Sequence, residues 1–322
     1  MPLTRRVTQI GRLLLIFLMV SLSINLGGTW GEIPAATTAS EPHSVAQSFP
    51  HLTYGPLGLA QLRDLPSGVL LQAKGIKITA KDIESEIKKA PPGVREQLEK
   101  NQFFLLEQIA TARLLTGEAR QALGAEKADL SPQEEVDLLQ RFLQSLTEAV
   151  SVSDEEAKAF YEREKDLFGG ASFSEVQSAL KAYLLQEKEK EAINDRIRTL
   201  GQRTEIWVDR EWTKRQYALS RDNPVDQART SGLPTLVDFG ATGCRPCDMM
   251  TPVLEFLRKK YEGKLNVLFV HVGEEQIFGA RYGIQGIPLQ IFFDREGREV
   301  FRHTGFFAQA EIEKKLAEIG VE

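Results

Sequence analysis

The chain has only two cysteines among its 322 residues, Cys244 and Cys247, which excludes a small scaffold stapled by several disulfides. It has only four histidines, His43, His51, His271 and His303, and they show no ligand spacing; they read as surface or packing residues. A basic excess is missing too: 40 lysines and arginines stand against 45 acidic residues, a formal charge of −5. A surface of that balance does not hold a phosphate backbone, so nucleic acid is set aside as a partner. Long apolar runs are scarce; there is one, over residues 13–28, and no second span follows it. What is present is the composition of a globular protein, 42% hydrophobic and 26% charged, in a length that suits two ordinary domains.

Arg5, Arg6 and Arg12 precede the apolar run, and Thr29 and Gly31 are small residues of the kind a signal peptidase cuts beside. This order predicts a signal peptide over residues 1–31, with an uncleaved anchor as the alternative. Both place the remainder in the periplasm or cell envelope, soluble or anchored to the membrane through the amino-terminal segment. A lipid anchor needs a cysteine just after the run, and none is there. Residues 32–67, rich in Pro, Ala, Thr, Ser and Gly without an apolar period, predict a flexible tether in which Phe49, Leu52 and Tyr54 have packing potential.

From residue 69 to 78 an extended segment broken at Lys74-Gly75 predicts a hairpin, and Thr79 with Asp82 three residues on predicts a helix start. Helical periodicity then dominates to about Leu200. Ile83 and Ile87 open it and Pro91-Pro92 stops it; a second segment carries Leu98 to Leu115 and ends near Gly124. Val136 to Leu146 form a third, Ser153 and Glu156 stand in capping-box spacing before a fourth, and a long one runs from Val176 to Leu200. The charged run at residues 187–191 alternates in sign and reads as a solvated helix face.

This region resembles the amino-terminal domain of the periplasmic chaperone SurA and related parvulin-type isomerases. The likeness rests on Lys74-Gly75-Ile76-Lys77-Ile78-Thr79 with Asp82-Ile83, on the helix from Phe104-Leu105-Leu106-Glu107-Gln108 to Glu118-Ala119-Arg120, and on Val152-Ser153-Asp154-Glu155-Glu156 with Tyr161. In that family the chain enters an isomerase domain after a segment like residues 161–168. Here Phe168 is followed by Gly169-Gly170-Ala171-Ser172-Phe173 and then by the long helix, so the insert is missing. The resemblance implies a shell that binds polypeptide without prolyl isomerisation, closed by a strand over residues 204–208.

The cysteines lie in a different setting. Residues 223–231 predict a short helix, and Thr235-Leu236-Val237-Asp238-Phe239 a buried strand. This strand runs through Gly240-Ala241-Thr242-Gly243 into Cys244-Arg245-Pro246-Cys247 and a helix bearing Met250, Val253, Leu254 and Leu257. A helix amino terminus presents unpaired N–H groups and partial positive charge, which stabilise a thiolate on the first cysteine, and Arg245 adds a cation beside it. Two intervening residues let the sulfurs meet across one turn. A lone pair of this kind is also compatible with a structural disulfide or half a zinc site. Further strands at residues 265–272, 289–293 and 299–303 and a closing helix at 309–319 complete the module.

Residues 223–322 resemble thioredoxin. Cys244 and Cys247 match its redox pair, Asp238 the acid six residues before, Pro252 the helix kink, Pro288 the cis-proline opposite the disulfide, and Gly305 the glycine after the last strand. The resemblance implies thiol–disulfide exchange at Cys244 and Cys247, with proton transfer by Asp238 and a substrate groove shaped by Pro288, Ile287, Gly243 and Arg245. The tryptophan usual before the first cysteine is Gly243 here, the aromatic three residues earlier is Gly240, and Phe269 stands where a lysine often faces the acid.

The expected fold is therefore multidomain: a signal over 1–31, a tether over 32–67, an α-helical SurA-like domain over 68–212 and an α/β thioredoxin fold over 213–322. The expected function is an exported thiol–disulfide oxidoreductase acting on protein thiols and disulfides of exported polypeptides, served by a redox partner that the sequence does not identify. No cofactor beyond the Cys244–Cys247 disulfide and no metal are expected. A holding chaperone or assembly factor with a structural or regulatory disulfide is the alternative.

Overall fold

The computed structural model describes residues 44–322 except 54, 127–128 and 285. The signal or anchor expected over 1–31 lies outside the described residues, and among them no helix is long and apolar enough to cross a membrane. The chain divides into two compact units: the described residues to Glu86 with Leu105–Thr213, and Ile87–Phe104 with Lys214–Glu322.

After a short helical turn at Val45–Ser48 and a 3-10 turn at Pro56–Leu59, the elements in chain order are β1 (Gln61–Arg63), β2 (Val69–Ala73), β3 (Ile76–Thr79), α1 (Ala80–Lys89), α2 (Pro92–Lys100), α3 (Gln102–Ala122), α4 (Pro132–Thr147), α5 (Asp154–Arg163), α6 (Phe173–Arg203) and β4 (Ile206–Asp209). Gly75, at φ 72°, makes the turn of the β2–β3 hairpin. The Thr79 hydroxyl oxygen accepts from the Asp82 N–H at 3.3 Å while Asp82 accepts from the Thr79 N–H at 2.7 Å, so the start of α1 is capped from both sides. Capping boxes at Ser131/Glu134 and Ser153/Glu156 start α4 and α5 in the same way. Only residues 164–172 join α5 to α6, folded back by the Tyr161 hydroxyl, which donates to the Ala171 carbonyl at 2.6 Å.

The tether expected over 32–67 is corrected for its described part. Val45 and Leu57 are fully buried, and Leu62 of β1 pairs with Val208 of β4 in a sheet of order β1-β4-β2-β3. The segment has no period because it is an irregular strap, held at single apolar positions and by the buried Glu107 carboxylate. That carboxylate accepts from the Thr53 hydroxyl at 2.5 Å and the Leu57 N–H at 3.0 Å.

From Lys214 the second unit takes the rest of α7 (Arg210–Ser220) and continues through α8 (Pro224–Arg229), β5 (Thr235–Gly240), α9 (Arg245–Lys260), β6 (Asn266–His271), α10 (Gln276–Arg281), β7 (Leu289–Phe293), β8 (Glu299–Thr304) and α11 (Gln309–Glu318). Its sheet runs β6-β5-β7-β8, with β5 and β6 parallel and β7 antiparallel to both neighbours. Alternation along β5 divides the core. Leu236 packs with Met250, Leu254, Leu257, Ile312 and Leu316 under α9 and α11. Val237 and Phe239 pack with Val225, Phe278 and Tyr282 under α8 and α10. Asp238 and Gly240 therefore share the face of α9, the helix that begins with the cysteines.

Two sequence expectations change here. The segment expected to run unbroken from Leu98 to Leu115 is two helices, since the Asn101 N–H closes α2 on the Leu98 carbonyl at 3.0 Å. Residues 87–104, expected within the helical region, cluster with the carboxy-terminal unit. Gln97 explains this: its amide donates to the Glu274 carbonyl at 2.7 Å and accepts from the Ile277 N–H at 3.0 Å. It thus caps α10, whose own Glu275 makes no side-chain cap bond.

Candidate functional site

Strand β5 is buried along its whole length and ends at Gly240, from which the chain turns through Ala241, Thr242 and Gly243 to reach α9. Gly243 takes φ 75°, a left-handed turn that suits a residue without a Cβ, and it is exposed. Cys244 is the N-cap of α9, with the Cys247 N–H directed at its sulfur at 3.3 Å. Cys244 and Cys247 are joined as a disulfide. Cys244 is partly exposed whereas Cys247 is only 4% exposed, so one sulfur faces outward and the other is covered. Arg245, the first residue of α9, is exposed beside them.

Opposite the pair, the Ile287-Pro288 peptide bond is cis, Pro288 is buried, and the half-buried Ile287 places its carbonyl oxygen 3.9 Å from Cys244 Sγ. The structure therefore brings Cys244, Cys247, Ile287 and Pro288 together, with Gly243 and Arg245 on the rim. Asp238 stands below, fully buried on the face of α9. Burial pushes its carboxyl up to about 6, against the pull of a hydrogen bond from Gln290 and the field of Arg258.

Three further residues stand around the pair: Gln290, which sequence reasoning missed, Phe269, which it read only as standing in place of a lysine, and His271. Gln290, paired with Asp238 across β5 and β7, donates to its Oδ1 at 2.7 Å, while Asp238 Oδ2 has no hydrogen-bond partner among the described residues. Its signal is a single amide inside the apolar run 289–293, two residues after Pro288. Phe269 replaces more than a lysine. A Cβ at Gly240 would meet its ring at 2.8 Å and Cys247 Cβ at 3.3 Å, so an aromatic from β6 fills the space that a side chain on β5 would take. The third is His271, read from sequence as a surface or packing residue; its Nε2 accepts from the Thr242 N–H at 3.0 Å, in the loop before Cys244. Among the described residues, no group of three or more His, Cys, Asp or Glu is arranged to hold a metal ion.

A sequence profile described as Thioredoxin matches residues 219–318. The thioredoxins of Staphylococcus aureus strains Mu50 and MW2 are each 40% identical to this chain over 98 residues, covering 30% of this chain and 88% of theirs. Among solved structures, a mutant thioredoxin from Halobacterium salinarum NRC-1 is 26% identical, with a TM-score of 0.28, over 30% of this chain and 83% of that one. The neighbouring cysteines and these relatives make the module one of thiol–disulfide oxidoreductase type, without fixing the direction of exchange. Through residues 219–318, this chain belongs to the thioredoxin family.

Proposed function

We propose that the protein is an exported thiol–disulfide oxidoreductase that acts on disulfides and thiols of other exported polypeptides, with its helical unit as a polypeptide-binding module. The observation that carries the chemistry is the Cys244–Cys247 pair at the start of α9, one sulfur exposed, beside Pro288 and above a buried acid.

In the reducing direction the Cys244 thiolate attacks one sulfur of a client disulfide. The S–S bond of the client breaks, its other sulfur leaves as a thiolate and takes a proton, and a mixed disulfide forms. The Cys247 thiol then gives its proton to the Asp238 carboxylate and attacks Cys244 Sγ, which releases the second client sulfur. Two electrons have passed to the client, and a dithiol partner must return them. Run backwards, the same steps oxidise a client dithiol. Ile287 and Pro288 present a backbone edge to the client, Gly243 leaves room for it, and Arg245 favours the thiolate.

Export rests on the order of charge and apolarity in residues 1–31. The binding role rests on the SurA-like residues 74–83, 104–120 and 152–161 and on analogy of fold. A bridge of residues 164–172 is far shorter than the ~50 residues at which domains begin, so an isomerase has no place in it. The test is a trap. Cys247→Ser leaves the attacking sulfur without its resolver, so mixed disulfides with periplasmic polypeptides should accumulate and vanish in the Cys244→Ser, Cys247→Ser double variant. No trapped adduct from a folded Cys247→Ser protein would return the chain to the alternative, a holding chaperone with a regulatory disulfide.

A further inference from the structure

His271 ends β6 beside Gly240, and its ring is turned onto the loop that leads to Cys244. Its Nε2 accepts from the Thr242 N–H at 3.0 Å and lies 2.9 Å from the Thr242 hydroxyl. A backbone N–H can only donate, so Nε2 is the acceptor and the neutral ring carries its proton on Nδ1. The Val272 N–H donates to the Gly240 carbonyl at 2.9 Å, so residues 271–272 hold the loop at both Gly240 and Thr242. Gly273 makes the space: a Cβ there would stand 3.0 Å from the ring's Cε1. Beyond Thr242 only Gly243 separates this anchor from Cys244.

We propose that His271 is a positioning residue of the exchange site, whose neutral ring anchors the loop before Cys244 and so fixes where that sulfur stands. This rests on the reading of Cys244 as the exchanging cysteine. An Nε2–H tautomer would set N–H against N–H at Thr242, and the anchor would be lost. The titratable groups facing it are Glu274, whose carboxylate lies 3.9 Å from Nδ1, and Glu275, whose N–H with that of Glu274 bonds the His271 carbonyl. Asp238 and Cys247 lie along the same face from β5 and α9.

The test uses the full chain as wild type, His271→Ala and His271→Gln, since a glutamine oxygen reaches the place of Nε2 and does not titrate. We expect kcat/KM for disulfide reduction in His271→Ala to fall about tenfold, the scale of a small misplacement of a reacting atom. We expect His271→Gln to recover it to within about twofold of wild type. Nitrogen NMR of the wild-type ring should report the Nδ1–H tautomer at pH 8. Full activity in His271→Ala, no recovery in a folded His271→Gln, or an Nε2–H ring would overturn the proposal. If the wild type exchanges no disulfide at all, the function fails instead, and the tautomer still decides whether the anchor exists.

Discussion

A carboxyl sealed from water beneath a disulfide is more stable with its proton than without it. Asp238 has a folded value of about 6 against an ordinary 3.8, so the folded state binds the proton more tightly than the unfolded chain does. The stability this contributes is complete below the ordinary value and is lost as pH rises through 6. Asp238→Asn should therefore stabilise the oxidised protein by roughly 1–3 kcal/mol at pH 8, a gain that closes toward pH 4 in denaturant unfolding. The same substitution should slow release of a mixed disulfide by about 100-fold, because Cys247 loses its base. At the neighbouring position, Cys244 is the more accessible sulfur, and alkylation of the reduced protein at neutral pH should label it before Cys247. Faster labelling of Cys247 would reverse their roles. The cysteines, Asp238 and Pro288 were legible because each sits at a fixed offset from a strand or helix end. Gln290 was not, nor were the full roles of Phe269 and His271, since each matters through a neighbour on another strand, and register is not written locally.

Among the elements, the strap of residues 44–63 depends on one buried glutamate. Burial raises Glu107 from its usual 4.5 to about 7, against the bonds it accepts from Thr53 and Leu57. Its stabilising share is whole below 4.5 and is lost as pH climbs through 7. Both bonds reach Oε1, which a glutamine retains, so Glu107→Gln should be more stable than wild type by roughly 1–3 kcal/mol at pH 8 and equal to it near pH 4. In the other unit, Asp226 holds two buried guanidiniums, accepting from Arg281 at 2.5 Å and Arg229 at 3.4 Å. Asp226→Ala takes the shared carboxylate from both guanidiniums and should cost about 3–5 kcal/mol in chemical unfolding. The β2–β3 hairpin and the caps at Thr79 and Ser153 were readable because their signals lie within four residues. Helix α10 was not: it is six residues long, contains Gly279, and takes its cap from Gln97, 180 residues before Ile277. Strand β1 was hidden for a like reason, as its three residues gain strand form only by pairing with β4.

For the molecule as a whole, the account divides capture from chemistry. The full chain with Cys244→Ser and Cys247→Ser should still suppress aggregation of a reduced, unfolded client, and in a proline-limited refolding reaction it should match the blank. Acceleration of that slow phase would overturn the missing insert, and no suppression would reduce the helical unit to a spacer or a dock for one folded partner. The carboxy-terminal unit was legible in nearly complete order because its signals are many and independent. The helical unit was legible as helices but not as to where its chain strays, since residues 87–104 join the other unit through single side chains such as Gln97. The most direct test of the central claim is insulin reduction by the purified full chain under a dithiol reductant, beside its Cys244→Ser form and the reductant alone. The account predicts that the wild type precipitates insulin well ahead of the reductant, while Cys244→Ser follows it; equal rates for the two proteins would contradict exchange at Cys244.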